Sequence, residues 1–172
     1  YQEGYHVPVA HPGLLRELDF AKYRIEPRPY ATLQASPYRK ETGGERRYAG
    51  VSAEAEALYF WLFPTFMVNV YPDNMDVNVV IPQGPDETLV VIEWYAPDPA
   101  AFRPRFLAQG LAFSEQVQDE DMAICEAVQK GLKSRFYSQG RYSPKQEPAV
   151  HRFHQLIHGF LTAPQDGPYP RV

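Results

Sequence analysis

The chain has a single cysteine, Cys125, and that scarcity excludes a good deal. One thiol closes no internal disulfide and builds no all-cysteine metal cage, and it suits a reducing compartment, so a cytoplasmic protein is expected. Basic residues are few, 17 Lys and Arg against 21 Asp and Glu for a net charge of −4, and they are scattered. With no basic stripe to hold phosphates, nucleic acid is not an expected partner. No apolar run approaches the roughly 18 residues of a membrane span, and no charged-then-apolar leader opens the chain, so no membrane association is expected. The first residue is Tyr1 rather than Met, which reads as a processed or cut piece of something longer.

What is present is apolar and aromatic. With 172 residues, 44% hydrophobic and 14% aromatic, the chain has enough to bury a core as one domain spanning 1–172. Residues 1–18 look helical, with interruptions at Pro8 and at Pro12-Gly13, and 25–44, rich in Pro, Ser and Gly, reads as loop with strand fragments. From Tyr48 the period changes. ALYFWLF, FMVNVYP, MDVNVVIP and TLVVIEWYAP are β-branched and aromatic runs bounded by Pro64, Pro72-Asp73-Asn74 and Gly84-Pro85-Asp86, and they predict an antiparallel sheet of about four strands or more. A long helix follows over about 113–134 and a second over about 149–161. Strands followed by helices predict an α+β layer with the long helices on one face of the sheet.

The long helix carries one misplaced charge. At 100° per residue, Val117, Ile124, Cys125, Val128 and Leu132 share a stripe, and Asp121 falls in its middle, whereas Asp119, Glu120 and Glu126 point toward solvent. A carboxylate on a buried stripe is costly unless paired or bound to a metal, so an arginine partner, a cap for another segment and a metal are all open readings. Near the start, EGYHVPVAH places two of only five histidines, His6 and His11, five residues apart. On an unbroken helix these point about 140° apart, so they converge only if the helix breaks, and Pro8 supplies the break. Two imidazoles and a carboxylate from a distant helix make a facial triad, which suits Fe(II) because positions stay open for oxygen and substrate. Each histidine alone also reads as a surface or capping residue. A competing pair, His154 and His158 at i and i+4, has a metal spacing but no glutamate of the zincin kind between. His154 shares a stripe with Val150, Phe153, Ile157 and Leu161, which predicts a packed core histidine. Cys125 reads as a small buried hydrophobe.

EGYHVPVAHPGL, together with QDEDMAICEAVQKGLKSRFYSQGRYSP and HRFHQLIHGFL, resembles the catalytic domain of Rieske-type non-haem iron oxygenase α subunits, within them the choline monooxygenase-like branch. The likeness runs over nearly the whole chain, including YFWLFPTFMVNVYPDNMD. It implies that His6, His11 and Asp121 hold a mononuclear Fe(II). It also implies that Glu3 stands where most of the family has Asp, as the acid linking that iron to a Rieske cluster in an adjoining subunit. The implied fold is a helix-grip antiparallel sheet of the Bet v1/START kind, packed on a long C-terminal helix. The implied assembly is a homotrimer when full length, fed by a reductase or ferredoxin that passes electrons from NAD(P)H.

The departure from the family is the missing cluster. Rieske ligation needs a Cys-x-His and a Cys-x-x-His pair, and Cys125 alone provides neither, so the [2Fe-2S] cluster is expected in a missing domain or a partner. The implied activity is O₂-dependent hydroxylation of a small substrate, of the choline, glycine betaine or carnitine type. Aromatic faces hold quaternary ammonium groups, and Tyr59, Trp61, Phe63, Phe66, Tyr71, Trp94 and Tyr95 make the sheet unusually aromatic, though core packing accounts for most such rings. The alternatives are an aromatic ring-hydroxylating dioxygenase α subunit and, from another class, a metal-free helix-grip carrier of small ligands.

Overall fold

A computed structural model describes residues 3–39 and 55–164. Two short helices, α1 (His6–Ala10) and α2 (Pro12–Glu17), and a 3-10 turn (Phe20–Lys22) lead into the strands. These are β1 (Arg24–Pro27), β2 (Ala31–Pro37), β3 (Glu56–Leu62), β4 (Phe66–Val70), β5 (Met75–Gly84) and β6 (Glu87–Tyr95). Helix α3 (Pro99–Arg105), a π-helical turn (Phe106–Gly110), α4 (Leu111–Leu132) and α5 (Pro148–Thr162) complete the order. The six strands form one sheet in sequence order, each antiparallel to its neighbours.

The four aromatic and β-branched runs become β3 to β6, and the expected turn residues separate them. Two strands are additional. The stretch from Ile25, expected as loop with strand fragments, forms β1 and β2 in register from Arg24 opposite Ala35 to Pro27 opposite Thr32. Its prolines sit at the ends of these strands, where no ladder hydrogen bond is lost. The rest of that expected loop, 40–44, and the change of period at Tyr48 lie outside the described residues.

The long helical region begins earlier than 113. Asp98 caps α3, its side chain accepting from the Ala100 and Ala101 N–H groups at 3.1 Å each, with Pro99 in the first turn. Pro104 removes one helical donor, and the chain passes through a π turn before α4 resumes. The longest helix is thus followed by a shorter one, α5, rather than ending the chain. The stripe expected to be buried along α4 is only partly so. Val117 is half-buried, while Ile124, Val128 and Leu132 are 38%, 54% and 47% exposed and Cys125 is exposed. Beyond Asp121 the helix runs toward the tip of the β5–β6 hairpin, where Gln129 and Lys133 hold the Asp86 carboxylate at 2.6 Å each and the apolar stripe gains no cover.

The two faces of the sheet differ. One carries Leu33, Phe60, Val68 and Val77 in a single cross-strand row, with Leu62, Phe66 and Val91 in the next. Leu62, Phe66 and Val91 are more than a third exposed. The helices contact the opposite, inner face. Trp61 and Phe63 pack on Phe153 and Phe160 of α5, and Trp94 meets Phe106 of the π turn. Between these contacts the inner face is polar: Gln34, Asn69, Asp76 and Asn78 are all buried. Among the described residues no helix is long and apolar enough to cross a membrane.

Candidate metal centre

The site starts from a local backbone break. His11 has φ −121° and ψ 73° and stands between α1 and α2, as last cap of one and first cap of the other. The break is set by Pro12, not by Pro8 as expected. A residue before proline is disfavoured in the helical region, whereas Pro8 lies in the first turn of α1, where a missing N–H costs nothing. Gly13 is buried under Phe113 of α4, so close that a Cβ there would come within 2.9 Å of the ring. That contact sets α2, and His11 before it, against the helix that bears Asp121.

His6 Nε2, His11 Nε2 and Asp121 Oδ1 converge: the separations are 2.9 Å between the imidazoles, 2.8 Å from His6 to the carboxylate and 3.2 Å from His11 to it. Three donors on one face of an octahedral ion, with bonds of about 2.1 Å, stand about 3 Å apart. Two neutral imidazoles and one carboxylate with that spacing therefore fit an iron(II) ion, and among the described residues this is the one cluster of three such side chains. The outward nitrogens are held too. His6 Nδ1 lies 3.3 Å from a Glu3 carboxylate oxygen, and His11 Nδ1 lies 2.7 Å from Glu120 Oε2. A carboxylate on the far nitrogen fixes the tautomer, leaving Nε2 as the ligand, and makes the imidazole more basic.

Electrostatics agree with this clustering. Hydrogen bonds to Asp121 and Glu3 raise the His6 pKa to about 9 against the opposing effect of burial. Burial would lower His11, but Asp121 and Glu120 outweigh it and push it up. Burial would likewise raise Asp121, and the two imidazoles reverse this, holding its carboxyl far below the ordinary carboxylate range.

Glu120 was expected to face solvent. It is instead half-buried, with Oε2 on His11 and Oε1 accepting from Gln116 at 2.8 Å. A residue 100° round the helix from Asp121 still reaches the histidine behind the site because its side chain is one methylene longer. The competing pair stays apart: His154 is exposed rather than packed in the core, its Nδ1 2.6 Å from the Tyr142 hydroxyl, and His158 is exposed as well. The stripe that α5 buries is centred on Ala149, Phe153 and Leu156, leaving Leu161 80% exposed.

The three donors open into a cavity of about 150 Å³ between the inner face of the sheet and α1, the π turn and α4. Of the aromatic residues singled out in the strands, Tyr59, Tyr71 and Trp94 line it. Trp61 and Phe63 belong to the packing under α5, while Phe66 and Tyr95 are exposed. Phe102, Phe106 and Phe113 supply aromatic walls from the helical side.

Residues 1–163 match the family described as ring hydroxylating alpha subunit (catalytic domain). The chloroplastic choline monooxygenase of Arabidopsis thaliana is 37% identical over 158 residues, covering 90% of this chain and 36% of that protein. The carnitine monooxygenase oxygenase subunit of Escherichia coli K12 is 30% identical, covering 91% and 44% respectively. The putrescine 2-hydroxylase of Bordetella bronchiseptica is also 30% identical, covering 96% and 43%. Among solved structures, a quaternary ammonium Rieske monooxygenase studied for carnitine oxidation and inter-subunit electron transfer superposes with a TM-score of 0.69 at 26% identity. That match covers 91% of this chain and 44% of the other. The chain therefore spans less than half the length of these relatives.

Proposed function

Because the chain belongs to the ring hydroxylating alpha subunit family through its catalytic domain, we propose that residues 1–172 are the mononuclear-iron domain of a Rieske-type monooxygenase acting on a small quaternary ammonium compound. The observation that carries this is the convergence of His6 Nε2, His11 Nε2 and Asp121 Oδ1 at mutual separations of 2.8 to 3.2 Å. Iron held there would supply O₂ activation for hydroxylation of a substrate C–H bond. The chain's own residues provide the setting. Glu3 and Glu120 orient the two imidazoles from behind, and the aromatic walls exclude water around the substrate. Glu3, at the outer side of His6, is the residue we assign to the electron path from a neighbouring subunit.

A single cysteine does not fit a Rieske cluster, so the [2Fe-2S] centre belongs to another part of the complete protein or to a partner. The reductase or ferredoxin donor, the trimer, the helix-grip description of the sheet around α4 and the cytoplasmic location form part of the same proposal. Support for the substrate class comes from relatives named for choline and carnitine and from a cavity walled by Tyr59, Tyr71 and Trp94.

The test is iron content and turnover of the complete protein. Ala in place of His6, His11 or Asp121 is expected to abolish tight iron binding, and His154→Ala to leave it intact. Glu3→Gln keeps an oxygen that accepts from His6 Nδ1, so iron is expected to remain while turnover falls at least tenfold. Full iron in Asp121→Ala would sink the assignment. A wild-type protein that binds small ligands but never iron would instead be a carrier.

A further inference from the structure

Across the inner face of the sheet, one row of side chains runs through five strands: Gln34 opposite Tyr59, Tyr59 opposite Asn69, Asn69 opposite Asp76 and Asp76 opposite Trp94. All five line the cavity that holds the metal donors. The fourth of them, Asp76, is a carboxylate, 7% exposed as a residue. Its Oδ1 accepts from Asn69 Nδ2 at 2.8 Å and Asn78 Nδ2 at 2.5 Å, and Tyr71 is a further hydrogen-bond partner. These donors are all neutral. They satisfy lone pairs without cancelling the charge, and a buried, uncompensated charge is costly. The guanidinium that shares the cavity, Arg105, is engaged by Asp73.

We propose that Asp76 is the seat for the cationic head of the substrate, with Trp94, Tyr59 and Tyr71 as the aromatic faces around it. This rests on the quaternary ammonium reading above and assigns it a residue. With Oδ1 taken by two amide donors and a phenol also bonded to the carboxylate, Asp76 attracts its guest more by charge than by accepting an N–H from it. A trimethylammonium group, which carries a full charge and no N–H, matches that demand better than a primary amine does. Burial outweighs the three hydrogen bonds and raises the Asp76 carboxyl above the ordinary carboxylate value, so the site alone holds the charge at a cost that a cationic guest would relieve. A cation lodged beside it favours the ionised form.

The opposing account is that the Asn69–Asp76–Asn78 cluster merely fixes the register of β4 and β5. Titrations of the complete, iron-loaded protein with choline and with 3,3-dimethylbutan-1-ol, the same shape with carbon for nitrogen, separate the two. In the wild type, choline is expected to bind at least tenfold more tightly than the neutral alcohol. Asp76→Asn should bring that ratio close to one by weakening choline while leaving the alcohol unchanged, and Asp76→Glu should keep most of the preference. Asp76→Ser, smaller and also neutral, gives the same reading should the Asn form not fold. An unchanged ratio in the neutral variants, or an equal loss of both ligands, would overturn the assignment and leave the quaternary ammonium reading standing. A wild-type ratio near one would remove that reading itself, and the role of Asp76 with it.

Discussion

Glu120 illustrates what a single residue adds behind the proposed metal site. Its carboxylate is clamped from two sides, by His11 Nδ1 at 2.7 Å and Gln116 Nε2 at 2.8 Å, so it holds the imidazole in one tautomer and one orientation. Glu120→Ala is expected to weaken iron binding about 10- to 100-fold, measured by competition with a chelator, and Glu120→Gln to weaken it less because an acceptor remains. The sequence showed Asp121 through its mismatch with an apolar stripe. It could not show Glu120, because an acidic residue beside a helical ligand looks like any solvated charge until the partner helix is in place. The same holds for Asn69, Asp76 and Asn78. Their alternation in NVYPDNMDVNVV was visible, but polar residues at every second position of a strand ordinarily face water, and here they face a cavity while the apolar set faces outward.

At the scale of elements, strand and turn chemistry carried most of the reading. Four strands and their turns followed from β-branched runs cut by Pro and Gly. The strands β1 and β2 were obscured by prolines that turned out to terminate strands, and α3 was hidden by Pro104 inside it. The broken helix at the start was legible, but the residue that breaks it was not, since Pro8 and Pro12 differ only in where the helix begins. The close approach of Gly13 to Phe113 makes the α2–α4 contact testable. Gly13→Ala is expected to force the two helices apart and destabilise the fold by about 1–3 kcal/mol, read by urea unfolding, with a parallel loss of iron affinity. Adding Phe113→Leu, which frees space, should restore part of both.

For the molecule as a whole, protons and the proposed iron would compete for one site. In the metal-free protein His6 titrates near 9 rather than 6.5. Its interactions with Asp121 and Glu3 therefore stabilise the metal-free fold fully below about pH 6.5, and that contribution is lost as pH rises through about 9. Thermal unfolding of the metal-free form is expected to shift to lower temperature across that window. Iron uptake should release protons and strengthen as pH rises toward 9, measured by calorimetry in buffers of different ionisation enthalpy. His6 and Asp121 are also 115 positions apart in the chain, and every strand of the sheet lies between them. An ion bound to both holds the ends of that stretch together only in the folded state, and so stabilises the fold by mass action, by about 2.7 kcal/mol when free iron is about 100 times its Kd. Iron would thus serve as a clasp as well as a reagent. On chelation, amide exchange in α1, α2 and α4 is expected to quicken in step, while β2 to β4, held by their own ladders, keep their protection.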